Sequence, residues 1–486
     1  MDPSQIIKQV RKEMRSDRGI SGDGQRIDQL GWLILLKMYD ANEQESKLLD
    51  ENYKPSIEES LLWSNWAANP EGITGDDLIN FVDMQLFPKI KNLNVDILRN
   101  PKAFILKQAF MEANNYMKSG VQLKKVINLI EKINFTTSND RHLFGQIYED
   151  ILRQLQSAGT YGEFYTPRAL TKFIVNRLDP EPTHKIIDPA SGTGGFIVDI
   201  VEYLKEKNKI KNSSDYKKVQ KNIYGTEKKQ VPYILSIANM YLHGFSEPIN
   251  IKRGNELNVP IRERGNENFD IVVANPPFGG SEETGVKSNF PKKYQSSETA
   301  DMFMTLFIEL LKDNGKAGVI LPDSFLEGED VKSRIKENLL KTCNLHTIVR
   351  LPKTVFAPYA SAVKTNILFF TKGAPTKKIW YYEMKLPNGK NYTKTNPMKF
   401  DEFNNLINWW GVEENDFSDR KENDDAWLVD LNDIDSKYNL DFKNPSKKET
   451  ITDFKSLYQE LETINKDLEK NLNKLYKYLG DNDKPK

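Results

Sequence analysis

Through the first third of the chain, apolar residues return every three or four positions: in 28–38 (IDQLGWLILLK), in 103–117 (AFILKQAFMEANNYM) and in 121–134. That interval places them on one face of an α-helix, so residues 1–155 read as a helical domain. Breaks are expected at Asn69-Pro70, Gly75 and Asn100-Pro101, because a proline biases the residue before it away from helix. Near Gly159 the pattern changes. Short β-branched runs at 184–190 (HKIIDPA), 222–227, 270–277 (DIVVANPP), 315–322, 346–352 and 364–372 alternate with helical stretches. Continuous apolar strands separated by helices predict a sheet covered on both faces, the doubly wound α/β class, over 156–375. Residues 376–450 read as an irregular connecting region, with a hairpin at 377–395 around Asn388-Gly389. In 451–486, Phe454, Leu457, Leu461, Ile464, Leu468, Leu472, Leu475 and Leu479 recur every three or four residues. They predict a long amphipathic helix with a near-heptad, coiled-coil-like seam.

Composition narrows the setting. A length of 486 residues suits about three domains of roughly 150 residues each. Charges balance at 69 Lys+Arg and 69 Asp+Glu, and mean hydropathy is -0.61. No apolar run approaches the ~20 residues that span a bilayer, so no membrane partner is expected. The opening MDPSQIIKQVRKEM lacks the apolar core and cleavage site of a secretion signal, and a cytoplasmic location is expected. A single cysteine, Cys343 in the helical-looking run ENLLKTCNLH, excludes an internal disulfide and a thiolate metal cluster. His142, His184, His243 and His346 stand at no ligand spacing, so no metal is expected. Neutral charge argues against a chain that holds nucleic acid mainly through its own phosphate contacts.

The first candidate for chemistry is Asp188-Pro-Ala-Ser-Gly-Thr-Gly-Gly-Phe196, between an apolar strand and a helix. Glycines at 192, 194 and 195 let the backbone approach a ligand beyond the strand's carboxyl end. A P-loop would need Gly-Lys-Ser/Thr, and lysine is absent. A dinucleotide fingerprint would need a third glycine where Ile197 stands. An acid-led turn repels pyrophosphate but suits an amine-bearing cation such as S-adenosylmethionine. By itself such a turn serves structure as readily as binding. Two companions strengthen it. The next strand ends at Glu227, placed for a ribose diol by the logic of the second-strand acid. Upstream, Thr166-Pro167-Arg168 reads as a helix start, with Thr166 as N-cap, whose free N–H groups could receive the ligand's carboxylate.

The second candidate is Asn275-Pro276-Pro277-Phe278, which ends the strand FDIVVA. Two prolines cannot continue a ladder, and they fix the backbone so that the Asn side chain and the Pro276 carbonyl can converge. An exocyclic amine on a base is a poor nucleophile because its lone pair is delocalised into the ring. Two acceptors gripping its N–H bonds favour a pyramidal nitrogen, and Phe278 offers a face on which an extruded base can stack.

Taken together, Gly-Glu-Phe-Tyr-Thr-Pro-Arg (162–168), the acid-led glycine turn, Gly-Thr-Glu (225–227), Asn-Pro-Pro-Phe and Leu-Pro…Lys-Thr-Asn-Ile-Leu-Phe-Phe (351–370) resemble the modification subunit of type I restriction–modification systems. The resemblance spans nearly the whole chain. It implies a Rossmann-like, S-adenosylmethionine-dependent methyltransferase core of the N6-adenine DNA class, with a helical N-terminal domain and a C-terminal assembly helix. It implies cofactor contacts at Glu163, Phe164, Tyr165, Thr166, Pro167, Arg168, Thr193, Gly194, Gly195 and Glu227, joining Asp188 and Gly192 of the turn. Target-base contacts fall on Asn275, Pro276, Pro277 and Phe278. Glu163 departs from the glutamine expected there. The implied partners are a specificity subunit, a second copy of this chain, a translocating restriction subunit and double-stranded DNA. Methylation of RNA bases or of protein glutamine, N4-cytosine methylation, and an inactive assembly scaffold stay open as alternatives. C5-cytosine methylation is excluded, since it needs a thiolate nucleophile and Cys343 follows no Pro-Cys turn. The polar segment 279–300 is expected to be a mobile crossover loop, or else a lid with Lys287, Lys292 and Lys293 near phosphates.

Overall fold

The computed structural model describes residues 3–135, 148, 165–265, 267–280, 282, 284–356, 363–393 and 395–446. In the C-terminal segment it describes 458, 461–462, 464–466, 468–469 and 471–473.

Counting helices of ten residues or more, the N-terminal region holds α1 (Pro3–Arg15), α2 (Asp23–Leu49), α3 (Pro101–Phe110) and α4 (Gly120–Glu131). The breaks act where proline and glycine placed them. Asn100 caps α3 by accepting from the Ala103 N–H at 3.2 Å, with Pro101 as the first helical residue. Gly75 takes a φ of +60°. Every side chain from Trp32 to Leu36 of α2 is buried, as for a helix covered on all sides.

The sheet-bearing region supplies α5 (Arg168–Leu178), β1 (Ile186–Asp188), α6 (Gly195–Glu206), α7 (Ser213–Asn222), β2 (Ile223–Glu227), α8 (Gln230–Leu242), β3 (Ile251–Arg253) and β4 (Phe269–Ala274). It continues with α9 (Thr299–Leu310), β5 (Leu311–Pro322), α10 (Val331–Thr342), β6 (Cys343–Arg350), β7 (Thr365–Lys372), β8 (Lys378–Glu383) and β9 (Ala426–Asp430). The strands form one sheet in the order β3-β2-β1-β4-β5-β7-β6-β8-β9. Neighbours from β3 to β5 are parallel, and β7 runs antiparallel between β5 and β6, pairing Val319 with Leu368 and Val349 with Ile367. Strand order reverses at β1, so the carboxyl ends of β1, β2 and β4 open on one crevice. Helix α2 docks on α8, where a Cβ on Gly31 would stand 3.3 Å from Ile234, and the Tyr148 hydroxyl donates to the Leu235 carbonyl at 2.9 Å. One apolar cluster therefore runs from the helical domain into the sheet.

Three elements differ from the sequence expectations. Among the described residues of 377–395, no hairpin forms. Asn388 and Gly389 do adopt the left-handed conformations such a turn needs (φ 52° and 67°), but β8 pairs with β6 and with the distant β9. Turn chemistry is local, whereas partner choice follows the apolar faces: Tyr381 of β8 stacks on Trp427 of β9 at 5.3 Å. The sheet consequently extends beyond 375, into a region read as irregular. Cys343 is the buried first residue of β6 and lies outside any helix, and burial pushes its thiol up to about 11.

In the C-terminal segment, Tyr458, Leu461, Ile464, Leu468 and Leu472 are helical and 40–69% exposed. Phe454, Leu457, Leu475 and Leu479 of the expected seam lie outside the described residues. Among the described residues no helix is long and apolar enough to cross a membrane.

Candidate active site

A cavity of about 260 Å³ opens at the carboxyl ends of β1, β2 and β4. Its floor is the glycine turn after β1. Gly192 and Gly194 take φ of +53° and +83°, and a Cβ at Gly194 would stand 2.9 Å from the Ser236 hydroxyl, so the turn depends on glycine there. The Ser191 N–H donates to the Thr226 carbonyl at 2.9 Å, stitching the turn to β2. Thr193 is buried, and its carbonyl accepts from Asn239 at 3.1 Å. Gly195 opens α6.

Two carboxylates flank this turn. Asp188 is 2% exposed, and burial, with the Glu227 charge adding to it, pushes its carboxyl up to about 8. Among the described residues, the Ala190 N–H, at 3.1 Å, is the one group that favours its ionised form. Glu227 ends β2 and accepts from the Gly192 N–H at 2.9 Å and the Lys229 N–H at 2.6 Å.

The segment before α5 forms another wall. Tyr165 and Thr166 border the cavity, while Glu163 and Phe164 lie outside the described residues. Helix α5 starts at Arg168 with Pro167 as its cap, one residue later than Thr166 as N-cap would place it. Thr166 has a different engagement: its hydroxyl accepts from Asn275 Nδ2 at 2.9 Å. Arg168 borders the cavity, but its guanidinium donates to the Gly195 carbonyl and pairs with the buried Asp199 at 2.9 Å, tying α5 to the start of α6.

Asn275 follows β4 and also borders the cavity; its Oδ1 is buried, with no hydrogen-bond partner among the described residues. Pro276 is buried, and Pro277 is exposed and contributes to the wall. Phe278 is half-buried, outside the cavity lining, and packs edge-on against Phe356 at 5.4 Å. The structure thus gathers Tyr165, Thr166, Arg168, Asp188, Gly192, Thr193, Gly195, Glu227, Asn275 and Pro277 around one space.

Sequence reasoning missed Asn255, Glu256 and Glu282. The Thr226 hydroxyl donates to Glu256 at 2.6 Å, and Glu282 accepts from Asn255 at 3.0 Å and pairs with Lys228 at 2.8 Å. All three border the cavity. At three residues, β3 is too short to show a period, yet Gly254-Asn255 at its end obeys the same strand-end rule as Asp188 and Glu227. Within the segment expected to be a mobile crossover loop or a lid, Val286, Phe290 and Tyr294, four residues apart, are buried in the second apolar cluster. His184 accepts from the Glu181 N–H, and His243 bonds Glu202; neither borders the cavity.

A doubly wound sheet with an acid-led glycine turn, a second-strand acid and an Asn-Pro-Pro-Phe strand end defines a Rossmann-like methyltransferase core. Comparison with known proteins then gives the family. The N-6 DNA Methylase family matches residues 139–454 and the HsdM N-terminal domain matches 4–130. The type I restriction enzyme EcoEI methylase subunit of Escherichia coli is 53% identical over 454 residues, 93% of this chain and 92% of the relative. The crystal structure of a type I restriction enzyme modification subunit from Vibrio vulnificus YJ016 shares 37% identity at a TM-score of 0.78, covering 92% of this chain and 97% of that one. A chain from a structure on complex assembly and conformational transition of the type I R-M system shares 32% identity at 0.81, covering 99% and 98%. The chain belongs to the N-6 DNA methylase family, among the methylase subunits of type I restriction enzymes.

Proposed function

We propose that this methylase subunit transfers a methyl group from S-adenosylmethionine to the N6 amine of an adenine extruded from double-stranded DNA. The donor and acceptor set of the cavity fits that cofactor. Two buried carboxylates suit an amine-bearing cation and a ribose diol, and the glycine turn admits close backbone approach. Asp188, Glu227 and the turn from Gly192 to Gly195 would hold it, with Tyr165 and Thr166 alongside. When bound, the cofactor supplies an electrophilic methyl on a sulfonium.

One observation carries the reading: Asn275 borders the same cavity as the acid-led turn, and its Oδ1 is buried with no hydrogen-bond partner among the described residues. A buried acceptor left unpaired costs about 1–3 kcal/mol, a cost recovered when a substrate N–H fills it. Asn275 Oδ1, with the Pro276 carbonyl, accepts from the exocyclic amine and favours a nitrogen lone pair directed at the methyl. The amine's extra proton leaves after the N–C bond has formed, so the site needs no strong base. Phe278, braced by Phe356, stands beside these acceptors as the stacking face for the base.

Membership of the DNA methylase family favours DNA over RNA bases or protein glutamine. The partners that follow are a specificity subunit that reads the sequence, a second copy of this chain, and a restriction subunit. The exposed apolar face of the C-terminal helix supports helix-on-helix assembly with the specificity subunit. Co-expression with the genomically neighbouring specificity subunit, followed by mass spectrometry of host DNA, tests the proposal. N6-methyladenine that vanishes in Asn275→Ala is expected. N4-methylcytosine, or no modified DNA base, overturns it.

A further inference from the structure

Resting on that reading of the cavity, we infer that Thr166 is a positioning residue for the target base, which fixes which end of the Asn275 amide meets the amine. The two residues stand 109 positions apart, and their side chains meet at 2.9 Å, with Asn275 Nδ2 donating to Thr166 Oγ1. Asn275 Oδ1 is left buried and without a partner among the described residues, and both residues border the shared cavity.

The direction of that bond matters because the two ends of an amide are nearly isosteric and chemically opposite. The oxygen accepts two hydrogen bonds, and the nitrogen only donates. A target amine presents N–H groups, so only the oxygen end can grip it. With nothing to hold Nδ2, the productive orientation would leave a buried donor unpaired, and the flipped one would set donor against donor. Thr166 Oγ1 removes that cost for the productive orientation. A hydroxyl carries a single proton. Once it is given to an acceptor in the cavity, the Thr166 oxygen can only accept from Asn275. A carboxylate-bearing ligand beside Thr166 would accept a hydrogen bond from that hydroxyl, so cofactor occupancy fixes the amide for the base. Donation from Nδ2 also polarises the amide and strengthens Oδ1 as an acceptor.

The complex assembled with the specificity subunit provides the test. Thr166→Val keeps the volume and removes the hydroxyl; Thr166→Ser keeps the hydroxyl. At saturating cofactor and duplex, kcat should fall about 5- to 150-fold in Thr166→Val, the factor for one buried donor left unpaired. Thr166→Ser should stay within threefold of the unmodified complex. Adding Thr166→Val to Asn275→Ala should cost nothing further. With S-adenosylhomocysteine bound, the ratio of affinities for a duplex with target adenine over one with purine lacking the 6-amino group should fall in Thr166→Val and hold in Thr166→Ser. A saturated kcat within threefold in Thr166→Val, an equal loss in Thr166→Ser, or an unchanged affinity ratio overturns the inference. Should Asn275→Ala itself turn over normally, the reading of the site fails. An inactive Asn275→Ala beside a fully active Thr166→Val removes only the role of Thr166.

Discussion

Glu227→Gln is the most direct probe of how the cavity holds its ligand. The carboxylate is 6% exposed and serves two backbone donors, Gly192 at 2.9 Å and Lys229 at 2.6 Å. It therefore fixes the end of the glycine turn and stands where a ribose diol would lie. Glutamine keeps the shape but has one acceptor oxygen. That oxygen can serve only one of the two N–H groups, and the new amide nitrogen faces the other, donor against donor. Losing a hydrogen bond to a charged group costs about 1.5–3 kcal/mol, or about 10- to 150-fold in Kd at ~1.4 kcal/mol per decade. A second effect acts in the opposite direction. Part of what raises Asp188 is the Glu227 charge, so its removal makes Asp188 easier to ionise and favours a cationic ligand. The net expectation is a 10- to 50-fold weaker S-adenosylmethionine Kd by calorimetry, with an unchanged circular dichroism spectrum. A Kd within threefold of the unsubstituted protein would refute the argument and move the ribose contact away from β2.

Asn275→Ala should bind S-adenosylmethionine within threefold of normal while methyl transfer by the assembled complex falls at least ~10²-fold, the scale seen when one transition-state hydrogen-bond partner is removed; comparable turnover would sink the assignment. Asp188 titrates at about 8 in the fold, against 3.8 for an ordinary aspartate, so its protonated form favours the ligand-free native chain. Ligand-free stability should fall as pH rises from about 4 toward 8, and a bound cation should oppose that fall. Between pH 6 and 8 the ionised fraction grows about 50-fold, so calorimetric affinity for the cationic cofactor should rise toward that factor and become flat in Asp188→Asn; a flat profile in the unsubstituted protein would contradict the coupling. Removing residues 449–486 should leave a folded, cofactor-binding chain that no longer co-purifies with the specificity subunit; a truncated chain that still assembles and methylates its site would assign the exposed helical face another role.

The sequence by itself determined what local periodicity and strand-end chemistry encode. Three- and four-residue spacing placed α2, α3 and α4, and the apolar runs placed β1, β2 and β4 to β7. The residues that close β1, β2 and β4, namely Asp188, Glu227 and Asn275, were legible because strand ends in a doubly wound sheet face the crevice. Sequence could not say which surfaces meet. The Asn388-Gly389 turn was read in its correct local conformation, yet β8 found its partner in β9, where Trp427 covers Tyr381. Likewise, Arg168 read as a cofactor contact, and the fold engages its guanidinium with Asp199 and the start of α6. Thr166 read as a helix cap, and it receives the Asn275 amide from 109 positions away. Backbone preferences act over a few residues and leave their period in the sequence. A hydrogen bond between distant side chains exists only once the sheet has set β4 beside the entry to α5, and that juxtaposition is a property of packing.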